Sequence, residues 1–224
     1  MERQTQSSIN GANEWQKGRR HEGNATANTG QGEIDRHYRI QEDDMTPAER
    51  ERAINALHES RERLLATVQR LSPSQLAYKP AADRWSVAEC VEHIIVVEDS
   101  ILGAIQKTAQ QPADSPQTAL EDDELLAKVV DRSERMKAPE RLTPAKRWPY
   151  HELCREFESV RKRTSEFAAT TDAKLRESAF PHPRLGPLDC YQWLLLIAAH
   201  GERHRAQAEE VMATAEFPRA ASAS

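Results

Sequence analysis

The sequence predicts an all-α protein: a four-helix bundle with a long connection between its second and third helices. Three observations carry that reading. Apolar residues recur at helical spacing in four separate stretches, ending with the one that reads CYQWLLLIAAHGERHRAQAEEVM. Three of these stretches open on a side chain able to cap a helix, followed three residues later by Glu or Gln. No strand pattern of useful length appears, and the 224 residues include only eight glycines, which suits helices and one domain plus an extension.

Residues 1–44 are rich in Gln, Asn, Gly, Thr and charge, and Trp15, Ile34, Tyr38 and Ile40 form no periodic face, so a disordered tail is expected there. His21 and His37 within it are expected to be solvated. Met45 stands directly before the first helix signal, as it would if the tail were an upstream extension of the reading frame. Thr46-Pro47-Ala48-Glu49 is a capping box with proline at the first helical position. The helix it opens buries Ile54, Leu57, Leu64, Leu65, Val68 and Leu71 and ends at Leu71-Ser72-Pro73. Arg61 falls within that stripe.

Ser86 and Glu89 form a second capping box, and the helix behind it runs to about Ala109. Val87, Cys90, Val91, Ile94, Ile101, Leu102 and Ile105 make its inner face, with His93 on the flank. Glu98 lies in mid-stripe, where a carboxylate needs a cation or a metal. Arg61 is the expected partner, in an ion pair between the first two helices. Residues 111–149 contain five prolines and one short helical stretch around Leu125 to Val130, a length that permits a crossover. The third helix, about Tyr150 to Thr170, spaces Leu153, Phe157, Val160, Thr164 and Phe167 as a bundle seam. A turn-rich segment around Pro181-His182-Pro183 leads to Asp189 and Gln192, which cap the last helix. The bundle is thus bounded at residues 45–217, with a disordered Ala- and Ser-rich tail over 218–224.

On that last helix, Trp193, Leu196, Ile197, His200, His204, Gln207 and Val211 fall on one face, and Glu202, Arg205 and Glu209 fall opposite. Two imidazoles four residues apart on a buried face need partners. Hydrogen bonds inside the core would serve. So would a divalent metal, since rings at i and i+4 can converge on one ion. With His93 from the second helix the set would hold three nitrogens and leave a fourth position open, as catalytic rather than structural zinc sites do.

Other chemistries find no support. With 31 Lys plus Arg against 36 Asp plus Glu, a net charge of -5 and a pI near 5.9, the chain offers no basic stripe, and nucleic acid is not an expected partner. No apolar run approaches the roughly 18 residues of a membrane span, and no signal-peptide core is present, so a cytoplasmic location is expected. Cys90, Cys154 and Cys190 are widely spaced and odd in number, the pattern of buried thiols rather than of a disulfide framework. His200-Gly201-Glu202-Arg203-His204 is not the HExxH of zincins, because its carboxylate stands one place late and points away from the inner face. Gly30-Gln31-Gly32 lacks the strand and helix of a phosphate loop, and no serine sits in a GxSxG elbow. Trp85 and Trp193 are expected to be packing anchors.

Three motifs, in order on the expected helices, carry a family resemblance. They are Arg84-Trp85-Ser86-Val87-Ala88-Glu89 running into Val91-Glu92-His93-Ile94, then His182-Pro183 with Leu185-Gly186-Pro187-Leu188, then Gln192-Trp193-Leu194 with Ala199-His200-Gly201-Glu202-Arg203-His204-Arg205-Ala206-Gln207. Over about residues 46–214 the chain resembles the DinB/YfiT-like superfamily. The resemblance implies a four-helix bundle holding a divalent ion, usually nickel or zinc, on residues matching His93, His200 and His204. It implies no DNA binding. Some relatives are transferases using low-molecular-weight thiols, some resemble metal-dependent hydrolases, and dimers are common. The leading expectation is therefore a metal-dependent enzyme, with thiol S-transfer ahead of hydrolysis and with Gln207, Arg61 and His182 as candidate pocket residues for a small-molecule substrate. The rivals are a non-catalytic metal-binding or assembly module of the same fold and a metal-free bundle with core histidines.

Overall fold

A computed structural model describes residues 45–111, 118–134 and 137–219; the expected N-terminal tail lies outside them, with His21 and His37. The helices are α1 (Pro47–Val68), α2 (Pro73–Ala77), α3 (Val87–Thr108), α4 (Asp122–Val130), α5 (Leu153–Thr170) and α6 (Cys190–Met212). A short antiparallel hairpin, β1 (Ala179–His182) and β2 (Gly186–Asp189), precedes α6. The bundle consists of α1, α3, α5 and α6.

Local chemistry starts these helices where the sequence places them. Thr46 Oγ1 accepts from the Glu49 amide at 3.2 Å while Glu49 Oε2 accepts from the Thr46 amide at 2.7 Å. Ser86 and Glu89 repeat the exchange at 3.1 and 2.8 Å, and Asp189 Oδ1 accepts from the Gln192 amide at 2.7 Å. Thr46→Ala is expected to cost about 1 kcal/mol, the usual worth of such a cap, as a lowered midpoint in urea unfolding. A third box, Ser72 with Gln75, opens the short α2 just past the end of α1, an element the sequence reading missed.

The hairpin corrects the expectation that no strand forms. Gly186 takes φ +78 in its tight connection, and a Cβ there would come 3.2 Å from that of Ala119, so the position favours glycine. Four-residue strands lined by prolines give too short an alternation to read in advance. The C-terminal boundary also shifts. Gln75 Nε2 donates to the Pro218 carbonyl at 3.0 Å, which ties residue 218 to α2 rather than to a free tail. The third helix starts as a 3-10 turn over Tyr150–Glu152 before α5 proper.

The first two bundle helices, α1 and α3, are not spatial neighbours. Both α1 and α3 pack against α5 and α6, so α1 and α3 occupy diagonal corners. The long connection lays α4 on α6 and its 3-10 turn, Glu140–Leu142, on α3. It therefore covers the seam between α3 and α6.

Two apolar clusters fill the interior. One gathers Leu57, Ile101, Ile105, Leu125, Tyr191 and Leu194, and the other Leu64, Val87, Ile94, Phe157, Val160 and Val211. Between them runs a polar layer containing Ser60, Glu98, Arg161, His93 and His204. Arg161 on α5 and Glu98 on α3 are 1% and 2% exposed, and the guanidinium meets both carboxylate oxygens at 2.9 to 3.2 Å. Its remaining nitrogen donates to the Leu57 carbonyl and to Ser60 Oγ on α1. Gly201 on α6 leaves room for it, with its Cβ position 3.5 Å from Arg161 Nη2. One guanidinium thus touches all four bundle helices.

The expected Arg61–Glu98 pair does not form. Glu98 belongs to Arg161, while Arg61 pairs with Glu62 and Glu158 on a partly exposed seam between α1 and α5. The diagonal placement of α1 and α3 is the reason.

Candidate metal centre

The site is built where α3 and α6 face each other. His93 lies two turns into α3, and His200 and His204 lie one turn apart on α6. Ring centroids are separated by 4.6 Å (His93 to His204), 5.1 Å (His93 to His200) and 4.4 Å (His200 to His204). One nitrogen from each ring lies within 4.8 Å of the other two. Of the described histidine, cysteine and acidic residues, these are the three that converge. Trp85, at the start of α3, covers the cluster with its ring 4.7 Å from His93 and 5.9 Å from His204. It packs as expected of an anchor, but what it packs on is the imidazoles.

The outer hydrogen bonds settle which nitrogens face inward. His93 Nδ1 lies 2.8 Å from the Leu142 carbonyl, which can only accept, so the proton is on Nδ1 and the lone pair on Nε2. His204 Nδ1 lies 2.9 Å from Gln207 Oε1, with the same consequence. His200 has no hydrogen bond among the described residues. Burial is the foremost cause holding all three rings below the ordinary imidazole pKa, His200 and His204 well below it. Neighbouring rings and Arg203 add to the effect at His200 and His204. Neutral imidazoles with inward lone pairs are a metal's donor set. A zinc ion bonds imidazole nitrogen at about 2.0–2.1 Å, so small ring rotations would bring the set to bonding distance. The residues present fit a divalent ion.

The candidate pocket residues have different surroundings. Gln207 is spent on His204. His182 Nδ1 accepts from the Arg184 and Leu185 amides at 3.2 and 3.1 Å, which leaves Nε2 as the hydrogen-bearing atom of the neutral ring. That ring stands 5.3 Å from Trp193, which stacks on Phe180 at 4.4 Å, and it is close enough to His200 to depress its proton affinity. Arg61 is engaged with its two carboxylates on another seam.

Several residues that support the centre were not singled out from sequence. Glu92, beside His93, accepts from the Ala145, Lys146 and Arg147 amides and from the Arg147 side chain. This pins the connection that carries the Leu142 carbonyl. Arg203 on α6 donates to the Val129, Asp131 and Glu134 carbonyls, closing the end of α4 and the turn after it. Both are buried by the connection between α3 and α5, on faces that also carry Glu89 and Asp99 or Gln207 and Glu210, so helical spacing did not mark them. The cysteines stand apart: all three are free, and burial pushes the thiols of Cys90 and Cys190 up to about 12.

Comparison with known proteins agrees with this architecture. A model of the DinB superfamily matches residues 56–208, and the chain belongs to that superfamily. It is 29% identical over 142 residues to the uncharacterized protein YuaE of Bacillus subtilis (strain 168), an alignment covering 63% of this chain and 85% of YuaE. The solved structure of YfiT from Bacillus subtilis, described as a probable metal-dependent hydrolase with an unusual four-helix bundle topology, shares the fold with a TM-score of 0.51. That match covers 75% of this chain and 87% of YfiT at 15% identity.

Proposed function

We propose that the protein is a divalent-metal-dependent enzyme, with His93, His200 and His204 holding a zinc or nickel ion and a small-molecule substrate entering beside it. The observation that carries this reading is the convergence of three neutral imidazoles from two helices, two of them oriented by acceptors behind them. Bound there with an open position, the ion would supply Lewis acidity toward a carbonyl and would lower the pKa of a thiol. The protein's own residues do the rest. His93 and His204 present lone pairs, Trp85 excludes water from their flank, and the Nε2–H of His182 is available to donate to a substrate oxygen.

Transfer to a low-molecular-weight thiol is the favoured reaction. The converging group contains no carboxylate to serve as a general base, and a thiol made acidic by the ion would need none. Hydrolysis is the second reading, supported by the description of YfiT. Incubation of the zinc- or nickel-loaded protein with a panel of thiols and electrophiles, and separately with esters and amides, distinguishes them. Thiol-dependent turnover supports transfer and thiol-independent cleavage supports hydrolysis. Turnover with neither would leave a metal-binding module.

The depressed imidazole pKa values give metal loading a characteristic pH profile. Neutral rings predominate at and above the ordinary value of about 6.5, so zinc occupancy is expected to stay flat from pH 8 to about 6.5 and to fall only below. The metal-free fold should lose stability over the same acid range, since unfolded rings take up protons there that the buried ones exclude. Occupancy measured at a series of pH values after gel filtration reads the profile, and a decline already under way above pH 7 would contradict it.

A further inference from the structure

We propose that Arg132 is a positioning residue of the metal centre, fixing through the Gln207 amide the tautomer in which His204 Nε2 carries the lone pair. The inference rests on the reading of His93, His200 and His204 as metal ligands and deepens it.

The steps follow from what each group is able to donate. A guanidinium has donors only, and an amide has one accepting and one donating end. Arg132 Nη1 lies 3.3 Å from the outer atom of Gln207, so that atom must be the oxygen; the reversed amide would set N–H against N–H. The same oxygen lies 2.9 Å from His204 Nδ1. Being an acceptor already, it requires the imidazole proton to be on Nδ1, which frees Nε2. Arginine thereby sets the amide, and the amide sets the ring.

Arg132 is itself held in place. Its Nε and Nη2 grip the two oxygens of Glu210 at 2.9 and 2.8 Å, and Nη1 also lies 3.5 Å from the Arg203 carbonyl. Glu210, Gln207 and Arg203 all lie on α6, the helix that carries His204. From the other side, the Arg203 guanidinium holds the carbonyls of Val129, Asp131 and Glu134, fixing the turn in which Arg132 sits.

The two ligands are secured differently. His93 is oriented by a backbone carbonyl, which cannot reverse. The Gln207 side chain can turn over. Without Arg132, its NH2 could face His204 Nδ1, which would then accept, and the ring proton would move to Nε2 and point at the ion's position. The long connection between α3 and α5 thus supplies the acceptor for one ligand and the lock for another.

The test combines imidazole 15N spectra of the zinc-free full-length protein with zinc affinity from chelator competition. Wild type is expected to show His204 as the Nδ1–H tautomer. In Arg132→Leu the Nε2–H form should appear and zinc affinity should fall about 10- to 100-fold, the usual cost of losing an outer-shell partner. Gln207→Leu should do the same with Arg132 intact, which keeps the test available if Arg132→Leu fails to fold. Arg132→Leu combined with Gln207→Glu should restore Nδ1–H, because either carboxylate oxygen accepts. An unchanged tautomer in Arg132→Leu, or lost affinity with the tautomer intact, overturns the proposal, as does failure of the double variant to restore Nδ1–H. If the tautomers shift as stated but wild type binds neither zinc nor nickel, the relay stands and the metal reading falls.

Discussion

Arg161→Ala is expected to cost about 3–5 kcal/mol of stability, the usual cost of breaking a buried ion pair from one side. The substitution leaves Glu98, 2% exposed, as a buried carboxylate without its partner, and also strips donors from the Leu57 carbonyl and Ser60 Oγ. For a domain of this size that corresponds to a fall in Tm of roughly 10 °C. Arg161→Met combined with Glu98→Leu should recover much of the loss, because removing both charges lifts the desolvation penalty that a single removal exposes. Thermal unfolding followed by circular dichroism checks both. A loss below about 1 kcal/mol for Arg161→Ala would mean that water reaches Glu98 and that the polar layer is not closed.

The second large effect concerns binding rather than folding. His200→Ala should lower zinc or nickel affinity more than 100-fold, beyond the roughly 10- to 100-fold cost of losing an outer hydrogen-bond partner, because two imidazoles remain where three converged. The metal-free variant should fold as well as wild type or slightly better. His200 makes no hydrogen bond among the described residues, so its removal abandons no partner and takes an unbonded imidazole out of the interior. This pairing of outcomes separates a metal centre from a set of core histidines, whose loss would instead destabilise the metal-free fold. Isothermal titration with zinc and thermal melts of the metal-free proteins supply the two readouts.

Much of this architecture was legible because helices announce themselves locally. Thr46, Ser86 and Asp189 mark helix starts through bonds made within three residues, and the 3.6-residue period of α6 places His200 and His204 on its inner face whatever packs against it. Which helix lies beside which is a nonlocal fact. Glu98 advertises a need for a cation, yet whether Arg61 or Arg161 answers depends on α5 standing between α1 and α3. Arg161 was open to discovery, since it sits four residues after Phe157 and three before Thr164, on the seam side of α5. The Leu142 carbonyl was not, because every residue carries one and only the path of the connection brings this one to His93. Arg132 was hidden for a similar reason: an arginine in a charged loop looks solvated until the loop is seen folded onto α6.

The most direct test of the central claim is the metal content of untagged protein, with X-ray absorption to report what the ion is bound to. The account predicts one divalent ion per chain with three imidazole nitrogens in its shell, lost from His93→Ala, His200→Ala and His204→Ala alike. Protein that takes up neither zinc nor nickel, or that holds as much in His200→Ala as in wild type, would contradict it.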